Sequence, residues 1–293
     1  MLAIYDIIML EGCDNVSIYI TGDTHGSFKR IKDFIDKFHI TKDDVIVILG
    51  DVGINYFGTE QEYKAKQIYN SFGPTILSLQ GNHEERPYNI VGYKTKEWNN
   101  GIVYFQEEFP NLLFAKDGEI YNLNEKQCMC IGGAYSVDKW YRIVRCYLNY
   151  EPLLSEKLDI EEYEKALLFV QGKITDSDES IRKRLMEVYN TFPQGICTWF
   201  KDEQPSDEIK SYVEEQILKN KIDVVFSHTC PTKYTPVEMF LDFINQDSVD
   251  HSTEEWLDKI EDNLDYEKWY CGHWHTNKKI DKMVFLFEDF VEL

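Results

Sequence analysis

The sequence has little positive charge and contains no long apolar run. It carries 31 Lys and Arg residues against 52 Asp and Glu residues, which gives a formal net charge of −21. Because nucleic acids are polyanions, this balance opposes non-specific binding to long nucleic acid. The apolar stretch from Met1 to Leu10 is interrupted by Asp6, lacks a basic leader and is shorter than the roughly 20 residues that cross a bilayer. We therefore expect no signal peptide, no anchor and no membrane partner.

Cysteine is present, but it lacks the spacing of a disulfide framework or of a structural zinc site. The seven cysteines are odd in number and scattered, several of them within apolar runs. Unpaired, reduced thiols are typical of the cytoplasm, so we predict a cytoplasmic location. Cys128 and Cys130 would share one strand face, but no second Cys pair completes a zinc site, and we expect both to pack in the core. The remaining cysteines are Cys13, Cys146, Cys197, Cys230 and Cys271.

Internal repeats, low-complexity stretches and Gly/Ser-rich linkers are also absent. A chain of 293 residues is long enough to bury a substantial core. Without a linker to divide it, the chain is more consistent with one α/β domain over residues 1–293, carrying an insertion, than with two separate domains. The oligomeric state does not follow from the sequence.

Five clusters of polar residues are present, and each follows a short apolar run. The runs are about five residues long, are rich in Val and Ile and end at or near Gly, as buried strands do. Ligands bind at the carboxyl ends of strands in open α/β sheets, so these clusters are candidates for one site. They are Gly22-Asp23-Thr24-His25-Gly26, Gly50-Asp51, Gly81-Asn82-His83-Glu84, Ser227-His228 and Gly272-His273-Trp274-His275.

The runs between these clusters predict the arrangement of the elements. In the first half, strands at 16–20, 45–49 and 75–79 alternate with helices at about 27–38 and within 60–71. Such alternation indicates a mostly parallel sheet with helices on its faces. From about 102 to 132 the pattern changes to short β-runs, which we expect to form a second sheet. Strands at 224–226 and 269–271 precede the last two clusters.

The five clusters, in this order, resemble the signature of the calcineurin-like metallophosphoesterase superfamily. That signature is D-x-H, G-D, G-N-H-[DE], a lone His and G-H-x-H, and here it spans residues 22 to 275. Thr21 to Gly26, Gly132 to Asp138 and Leu264 to Tyr266 are similar to a branch of uncharacterised, mostly bacterial and phage members. The resemblance implies a four-layer α/β/β/α sandwich of two mixed sheets flanked by helices. It also suggests an extra stretch before Val16, for which we expect an added edge strand.

The resemblance further implies a site for two divalent cations. Asp51 offers two carboxylate oxygens, enough to bridge two metals. Mixed nitrogen and oxygen ligands without thiolate suit Mn or Fe, with Zn, Co and Ni as alternatives, better than Ca. In the family pattern the first metal is held by Asp23, His25 and His275, and the second by Asn82, His228 and His273.

The chemistry implied by this centre is hydrolysis of a phosphate mono- or diester. Two cations about 3.5–4 Å apart lower the pKa of a shared water, and the resulting bridging hydroxide attacks phosphorus directly. His83, in the family role, lies beside the metals without binding them and assists the leaving oxygen. Asp51 and His83 are therefore the predicted catalytic residues.

A charged, helix-forming segment from about Lys139 to Phe200 interrupts the sandwich pattern. Apolar stripes run along it at helical spacing. It either packs on the sandwich as a solvated unit or caps the site, because it leaves from the Gly132-Gly133 loop, whose strand end should face the metals. The stripes are Ile160, Tyr163, Leu167 and Leu168, and then Ile181, Leu185, Met186 and Tyr189.

Several residues near the motifs are candidates for substrate contacts. Arg86 follows the G-N-H-E motif and can clamp a phosphate with two donors, although a surface salt bridge explains it equally well. Tyr135, Ser136 and Arg142, near the Gly132-Gly133 loop, are further candidates. Trp274 is expected to be a packing residue, and we expect His251 to be a solvated loop residue.

Three alternatives to a small-molecule phosphoesterase remain. A protein Ser/Thr phosphatase would continue its G-D motif with x-V-D-R-G, but this chain reads Gly50-Asp51-Val52-Gly53-Ile54-Asn55-Tyr56. A nuclease is disfavoured by the acidic balance. A metal-binding scaffold without activity is disfavoured because all eight expected site residues are present. We therefore expect a small or nucleotide-like phosphorylated substrate.

Overall fold

The computed structural model of the protein describes residues 16–56, 60–173, 179–193, 195–241, 244 and 246–293. Within them lie thirteen β-strands, seven α-helices and five short 3₁₀ helices. The edge strand expected before Val16, and Cys13, lie outside the described residues.

The first sheet has seven strands and is mixed. Its centre is parallel, from β1 through β2 and β3 to β6, while β13, β5 and β4 join it antiparallel. The order across the sheet is β13-β1-β2-β3-β6-β5-β4. The strands are β1 (Ile18–Thr21), β2 (Val45–Ile48), β3 (Thr75–Ser78), β4 (Lys94–Trp98), β5 (Gly101–Phe105), β6 (Leu112–Ala115) and β13 (Phe290–Glu292).

The second sheet has six strands and is also mixed. Four neighbouring strands, β8, β9, β10 and β12, run parallel, and the edge strands β7 and β11 run antiparallel. The order is β11-β12-β10-β9-β8-β7. The strands are β7 (Ile120–Leu123), β8 (Lys126–Ile131), β9 (Val224–Ser227), β10 (Lys268–Cys271), β11 (Lys278–Ile280) and β12 (Met283–Phe285).

Side chains alternate between the two faces of each strand, and this alternation builds the layers. On β2, Val45 and Val47 face a core that is shared with side chains of the second sheet, whereas Ile46 and Ile48 face the opposite side. There they meet Ile31 of helix α1 (Phe28–Phe38) and residues of helix α2 (Glu60–Asn70).

The outer face of the second sheet is covered in the same way. Val225 and Trp269 pack with Val213 of helix α6 (Asp207–Lys219) and Leu257 of helix α7 (Ser252–Glu261). Helices, sheet, sheet and helices therefore form four layers with three apolar cores between them. This is the predicted α/β/β/α sandwich of two mixed sheets.

The expectation that the whole region 102–132 forms the second sheet is wrong. Strands β5 and β6 extend the first sheet, where Ile76 of β3 pairs with Leu112 of β6, and only β7 and β8 belong to the second. Short apolar runs of this kind indicate strands but do not identify their partners, because either sheet can bury them.

The segment from Lys139 folds into three helices with a core of their own. Helices α3 (Lys139–Tyr150), α4 (Ile160–Val170) and α5 (Glu179–Tyr189) bury a shared apolar cluster. On α5, Ile181 and Leu185 of the predicted stripe are buried, and Met186 and Tyr189 are partly buried.

The stripe predicted on α4 is only half right. Tyr163 and Leu167 pack against the cluster, but Ile160 is 80% exposed and Leu168 is 39% exposed. The buried side chains on this helix are Ala166 and Phe169. The capping box of Asp159 starts the helix at Ile160, so Ile160 lies at its first position, where it is exposed.

The six cysteines within the described residues are buried, and none forms a disulfide. Cys128 and Cys130 lie in the core between the sheets, as predicted. Among the described helices, none has the length and apolar character needed to span a bilayer.

Candidate metal centre

Loops from both sheets meet at one edge of the sandwich. Those after β1, β2 and β3 come from the first sheet, and those after β8, β9 and β10 from the second, because the strands in each set are parallel. The Gly133 amide donates to the Gln80 carbonyl across the two sheets over 2.8 Å. Similarly, the Nδ1 of His228 lies 2.7 Å from the Leu49 carbonyl oxygen. The edge is therefore one connected surface.

The first group of candidate ligands is Asp23, His25 and His275. The Nε2 atoms of the two histidines are 2.9 Å apart. Asp23 Oδ2 lies 3.3 Å from the Nε2 of His275 and 3.8 Å from that of His25. The ring of His275 also stacks on Phe287, with centroids 4.5 Å apart, which fixes its orientation.

The second group is Asn82, His228 and His273. Asn82 Oδ1 lies 2.8 Å from His228 Nε2 and 3.1 Å from His273 Nδ1. The amide is oriented by Ser136, whose Oγ accepts a hydrogen bond from Asn82 Nδ2 over 2.8 Å. Metal–ligand bonds of about 2.0–2.2 Å place two ligands of one ion roughly 3 Å apart, as these atoms are.

Asp51 lies between the two groups. Its Oδ1 is 3.8 Å from His228 Nε2, and its ligand atoms lie within 4.8 Å of those of both Asp23 and His228. Its Oδ1 also accepts a hydrogen bond from the backbone amide of His83 over 2.9 Å. This carboxylate is the group that faces both halves of the site.

The atoms that converge here fit cations. Asp23 is buried, and its Oδ2 has no hydrogen-bond partner among the described residues. In a neutral His228, the ring proton lies on Nδ1, which donates it to the Leu49 carbonyl. Nε2 then carries a lone pair, and this lone pair faces the lone pairs of Asn82 Oδ1. Acceptors that face each other without a donor repel, and a metal ion between them removes the repulsion.

The electrostatics of the site follow from its burial and its histidines. Burial disfavours the charged form of Asp23, but the close approach of His275 and the other neighbouring imidazoles outweigh it and hold its pKa well below the usual range. Burial, together with His228, lowers the pKa of His273 to about 3. The close approach of the Asp23 carboxylate raises the pKa of His275.

Four of the seven candidate ligands have a left-handed backbone. The φ angles are 44° at His25, 50° at Asp51, 65° at His273 and 48° at His275. Such angles cost free energy for residues other than Gly, and they concentrate at functional sites. The loops therefore hold these side chains in place against local preference.

Two glycines of the motifs are required by close packing at the site. A Cβ at Gly81 would lie 2.0 Å from Asp51 Oδ1, and a Cβ at Gly272 would lie 2.3 Å from Asp23 Oδ1. Any side chain at either position would displace a candidate ligand. This explains why Gly precedes Asn82 and His273 in the motifs.

Glu84, whose role the sequence left open, is a supporting residue. It is fully buried, and its Oε1 accepts a hydrogen bond from the Val52 amide over 2.6 Å. Burial and the nearby Asp51 raise its pKa well above the usual range. Glu84 thus joins the loop after β3 to the loop after β2. The signal in the sequence for this supporting role was the position of Glu84 in the G-N-H-E motif.

His83 is held by an arginine of the helical segment. The Nη2 of Arg142, on α3, contacts the Nδ1 of His83, while His83 Nε2 lies 3.8 Å from Asp51 Oδ2. The Arg142 Nε donates to Asp138, and its Nη1 donates to the Thr198 carbonyl and to the Tyr56 hydroxyl. Burial is the largest cause that lowers the pKa of His83.

The structure does not bring Arg86 to this site. Arg86 is only 2% exposed and forms an ion pair with Asp117, and its Nε donates to the Asp202 carbonyl over 2.6 Å. Asp117 in turn accepts a hydrogen bond from the Gly132 amide. Arg86 therefore stabilises the Gly132 loop from behind. The other predicted substrate contacts do lie at the site. Tyr135 lines the same cavity as Asp51, Ser136 accepts a hydrogen bond from Asn82, and Arg142 contacts His83.

A cavity of about 320 Å³ opens beside the centre. Trp274 packs partly against the second sheet's outer core, as expected, but it also lines this cavity. His251, expected in a solvated loop, is half-buried and lines it too, as does Glu254. Sequence reasoning assigned no site role to His251 or Glu254, because nothing in their local pattern indicates that α7 reaches the centre.

The fold and the site define a class of protein, namely an α/β/β/α sandwich whose strand ends carry a cluster of carboxylates and imidazoles suited to divalent metal. Residues 16–277 match the family of calcineurin-like phosphoesterases. The chain belongs to this family. It is accordingly a metal-dependent phosphoester hydrolase by family.

The other comparisons add no function. No curated protein matches the sequence. Among the solved structures that match, one is similar at 11% identity and a TM-score of 0.43, over 92% of this chain and 89% of its own.

Proposed function

We propose that this protein hydrolyses small or nucleotide-like phosphate mono- or diesters with two divalent metal ions. The observation that carries the proposal is the convergence of carboxylate, amide and imidazole atoms around Asp51, with the buried Asp23 Oδ2 left without a partner. Mn or Fe suits such nitrogen and oxygen ligands, and Zn, Co and Ni also fit.

Each group of ligands has a separate task. Asp23, His25 and His275 would hold one ion, and the other would be held by Asn82, His228 and His273, with Asp51 between them. When bound, such a metal pair supplies an activated water and neutralises charge on the phosphoryl group. The left-handed backbone at four of these residues keeps the side chains preorganised for this purpose.

His83 assists the leaving group in this proposal. A guanidinium only donates hydrogen bonds, so the contact with Arg142 requires His83 Nδ1 to accept. The proton of the neutral ring then lies on Nε2, on the side of Asp51. From there the Nε2–H group donates a hydrogen bond to the oxygen of the leaving group and stabilises the negative charge that develops on it.

Arg142 is a positioning residue in this scheme. Four of its five N–H groups are directed at Asp138, Thr198, Tyr56 and His83, which leaves little capacity for a phosphate. Its main effect is to fix the tautomer and the orientation of His83. The helical segment thereby acts on the centre through one side chain.

The size of the substrate is inferred from the cavity and the charge. A volume of about 320 Å³ lies at the lower end of the range for small-molecule sites. The net charge of −21 opposes long polyanions. Val137 and Asp138, which directly precede the helical segment, line this cavity. The segment therefore starts beside the cavity, and we propose that it limits access of bulky substrates.

The proposal is tested by assaying Mn-loaded protein with bis(p-nitrophenyl) phosphate and p-nitrophenyl phosphate, with metal-free protein as the control. We expect metal-dependent release of nitrophenol from at least one of the two. If protein loaded in turn with Mn, Fe, Zn, Co and Ni hydrolyses neither ester, the proposal is contradicted.

The size limit has its own test. Replacing residues 139–200 by a short loop should raise activity on long RNA relative to a dinucleotide, provided that the variant folds and binds metal. If the intact protein already cleaves long RNA or DNA as fast as a dinucleotide, the small-substrate proposal is refuted.

A further inference from the structure

The cavity beside the metal centre is lined both by candidate site residues and by apolar side chains. Asp51, His83 and His273 are among the former. A bare phosphate or a sugar phosphate would leave the apolar and aromatic side chains in contact with water. These side chains, which we call the apolar lining, are Tyr135, Val137, Met239, Phe240, Val249 and Trp274.

Two aromatic rings belong to the apolar lining. Phe240 and Trp274 have ring centroids 6.0 Å apart at an angle of 36°. Trp274 lies between two candidate ligands in the sequence, its ring centroid is 5.3 Å from that of His273, and its backbone amide donates to the Gly272 carbonyl over 2.7 Å. The distance from this ring wall to the metal centre is therefore fixed by the loop itself.

Two buried polar atoms, on residues that line the cavity, have no hydrogen-bond partner among the described residues. They are Oε2 of Glu254, a residue only 4% exposed, and Nε1 of Trp274. The other carboxylate oxygen of Glu254 accepts a hydrogen bond from the Thr229 hydroxyl over 2.9 Å. A buried polar atom without a partner is costly, so each of these two atoms is a candidate to pair with a ligand in the cavity.

We propose that this cavity binds a nucleobase carried by the substrate, against its apolar lining. Glu254 Oε2 accepts a hydrogen bond from a base N–H, and Trp274 Nε1 donates one to a base nitrogen or carbonyl oxygen, while the base faces contact the apolar lining. Hydrolysis of the attached phosphoester rests on the proposed function, but binding of the base does not.

A nucleobase matches these groups better than other flat ligands do. Its faces are apolar, and its edge carries both N–H donors and nitrogen or oxygen acceptors. A simple aryl group would contact the same lining but leave both polar atoms unpaired. Leaving one buried partner unpaired lowers affinity by about 10–100-fold.

The first test measures nucleoside binding alone, without hydrolysis. The metal-loaded protein is titrated with adenosine, guanosine, cytidine and uridine by calorimetry, with ribose 5-phosphate as the ligand that lacks a base. We expect at least one nucleoside to bind, and Glu254→Gln and Trp274→Phe each to weaken it by about 10–100-fold. Glu255→Gln, at an exposed neighbouring position on α7, is the matched control and should bind as the wild type does.

The proposal is overturned if no nucleoside binds, or if both Glu254→Gln and Trp274→Phe, checked for native thermal unfolding, bind as tightly as the wild type. Should Glu254→Gln fail to fold, Trp274→Phe alone decides, because it retains most of the ring area and removes only the donor.

A second experiment separates this proposal from the proposed function. The kcat/KM values for a nucleoside 5′-(p-nitrophenyl) phosphate and for methyl p-nitrophenyl phosphate are compared in the wild type and in Glu254→Gln. We expect the preference for the nucleoside ester to fall by about 10-fold or more in the variant. Nucleoside binding without hydrolysis of either ester would overturn the enzymatic proposal and keep the base site. Equal hydrolysis of the two esters without nucleoside binding would overturn the base site and keep the enzymatic proposal.

Discussion

The edge of the sandwich and the helical segment contribute to the site in different ways. Every candidate metal ligand comes from a loop that follows a sandwich strand. From helices α3, α4 and α5 a single side chain, Arg142, contacts a candidate site residue, and it reaches His83 rather than a candidate ligand. The helices otherwise bury one another around their own apolar cluster. The sandwich thus supplies the candidate metal ligands, and the helical segment supplies one orienting contact.

This difference shows how the two regions depend on each other. The ligands are held by strand ends, left-handed backbone and close glycine contacts, all of which are local to the sandwich. The tautomer of His83, in contrast, depends on a residue 59 positions away on α3. Changes in the sandwich loops should therefore remove metal and activity together, whereas changes in the helices should affect turnover and leave the metal bound.

The largest effect is expected from Asp51→Asn. Neutralising the carboxylate between the two groups of ligands removes both a bridging oxygen and the charge that offsets the cations. Loss of several kcal/mol of stabilisation corresponds to a fall of about 10³-fold or more in kcat/KM, with lower metal content by elemental analysis. Asp36→Asn, at an exposed position on α1, is the control and should behave as the wild type. Wild-type turnover in pure Asp51→Asn would refute the dinuclear assignment.

His83→Ala should separate activity from metal binding within the sandwich itself. We expect kcat to fall by about 10²–10⁴-fold, as is usual when a positioned donor to the leaving group is lost, while the metal content stays at the wild-type value. His228→Ala is the comparison, because its imidazole is a candidate ligand and its loss should release metal. If His83→Ala loses as much metal as His228→Ala, then His83 is a ligand, and its assignment as the hydrogen-bond donor to the leaving group is wrong.

The two arginines give the sharpest contrast between activity and stability. Arg142→Met should lower kcat by about 10–100-fold, as the loss of an outer partner of a site residue does, with little change in KM or metal content. Arg142→Lys, which retains a donor, should recover part of that loss.

Arg86→Met should instead lower the stability of the protein and leave its catalysis unchanged. It leaves Asp117 buried without its partner, so we expect unfolding free energy to fall by about 3–5 kcal/mol while the folded fraction keeps its specific activity. Chemical denaturation and steady-state kinetics on both variants measure the two effects. A loss of kcat in folded Arg86→Met that equals the loss in Arg142→Met would contradict the contrast.

The sequence predicted well that the candidate ligands meet at one edge, and it predicted poorly the contacts between distant segments. Asp23, Asp51 and His228 each follow an apolar run that forms a strand, so their meeting at one edge follows from the parallel order of the sheets. Arg86 and Arg142 had equal standing as phosphate contacts, because the burial of Arg86 depends on Asp117, which is far from it in the sequence.

The positions of β5, β6 and Glu254 were missed for the same reason, because they depend on contacts between residues far apart in the sequence. Strands β5 and β6 have the short apolar pattern of either sheet, and only tertiary packing places them in the first. Glu254 lies on an ordinary amphipathic helix, and its position in the cavity depends on how α7 packs on the second sheet. Local periodicity specifies elements and their ends, but it does not specify which distant residues meet.

The smallest effect concerns the junction where the helical segment returns to the sandwich. Glu203 is buried there and accepts a hydrogen bond from the Ser136 amide over 3.1 Å. Burial raises the pKa of Glu203 to about 7. Between pH about 4.5 and 7 the unfolded chain releases this proton and the folded chain retains it, so stability falls as pH rises across that window.

Glu203→Gln should therefore flatten the dependence of the melting temperature on pH between about 5 and 7. Thermal unfolding of the wild type and the variant across this range measures the difference. Parallel curves for the two proteins would show that Glu203 does not titrate in the window.

The most direct test of the metal centre is anomalous diffraction from crystals loaded with Mn²⁺. Two peaks about 3.5–4 Å apart are expected on either side of Asp51. One peak should lie against Asp23, His25 and His275, and the other against Asn82, His228 and His273. A single peak, or two peaks that do not share Asp51, would contradict the two-metal account.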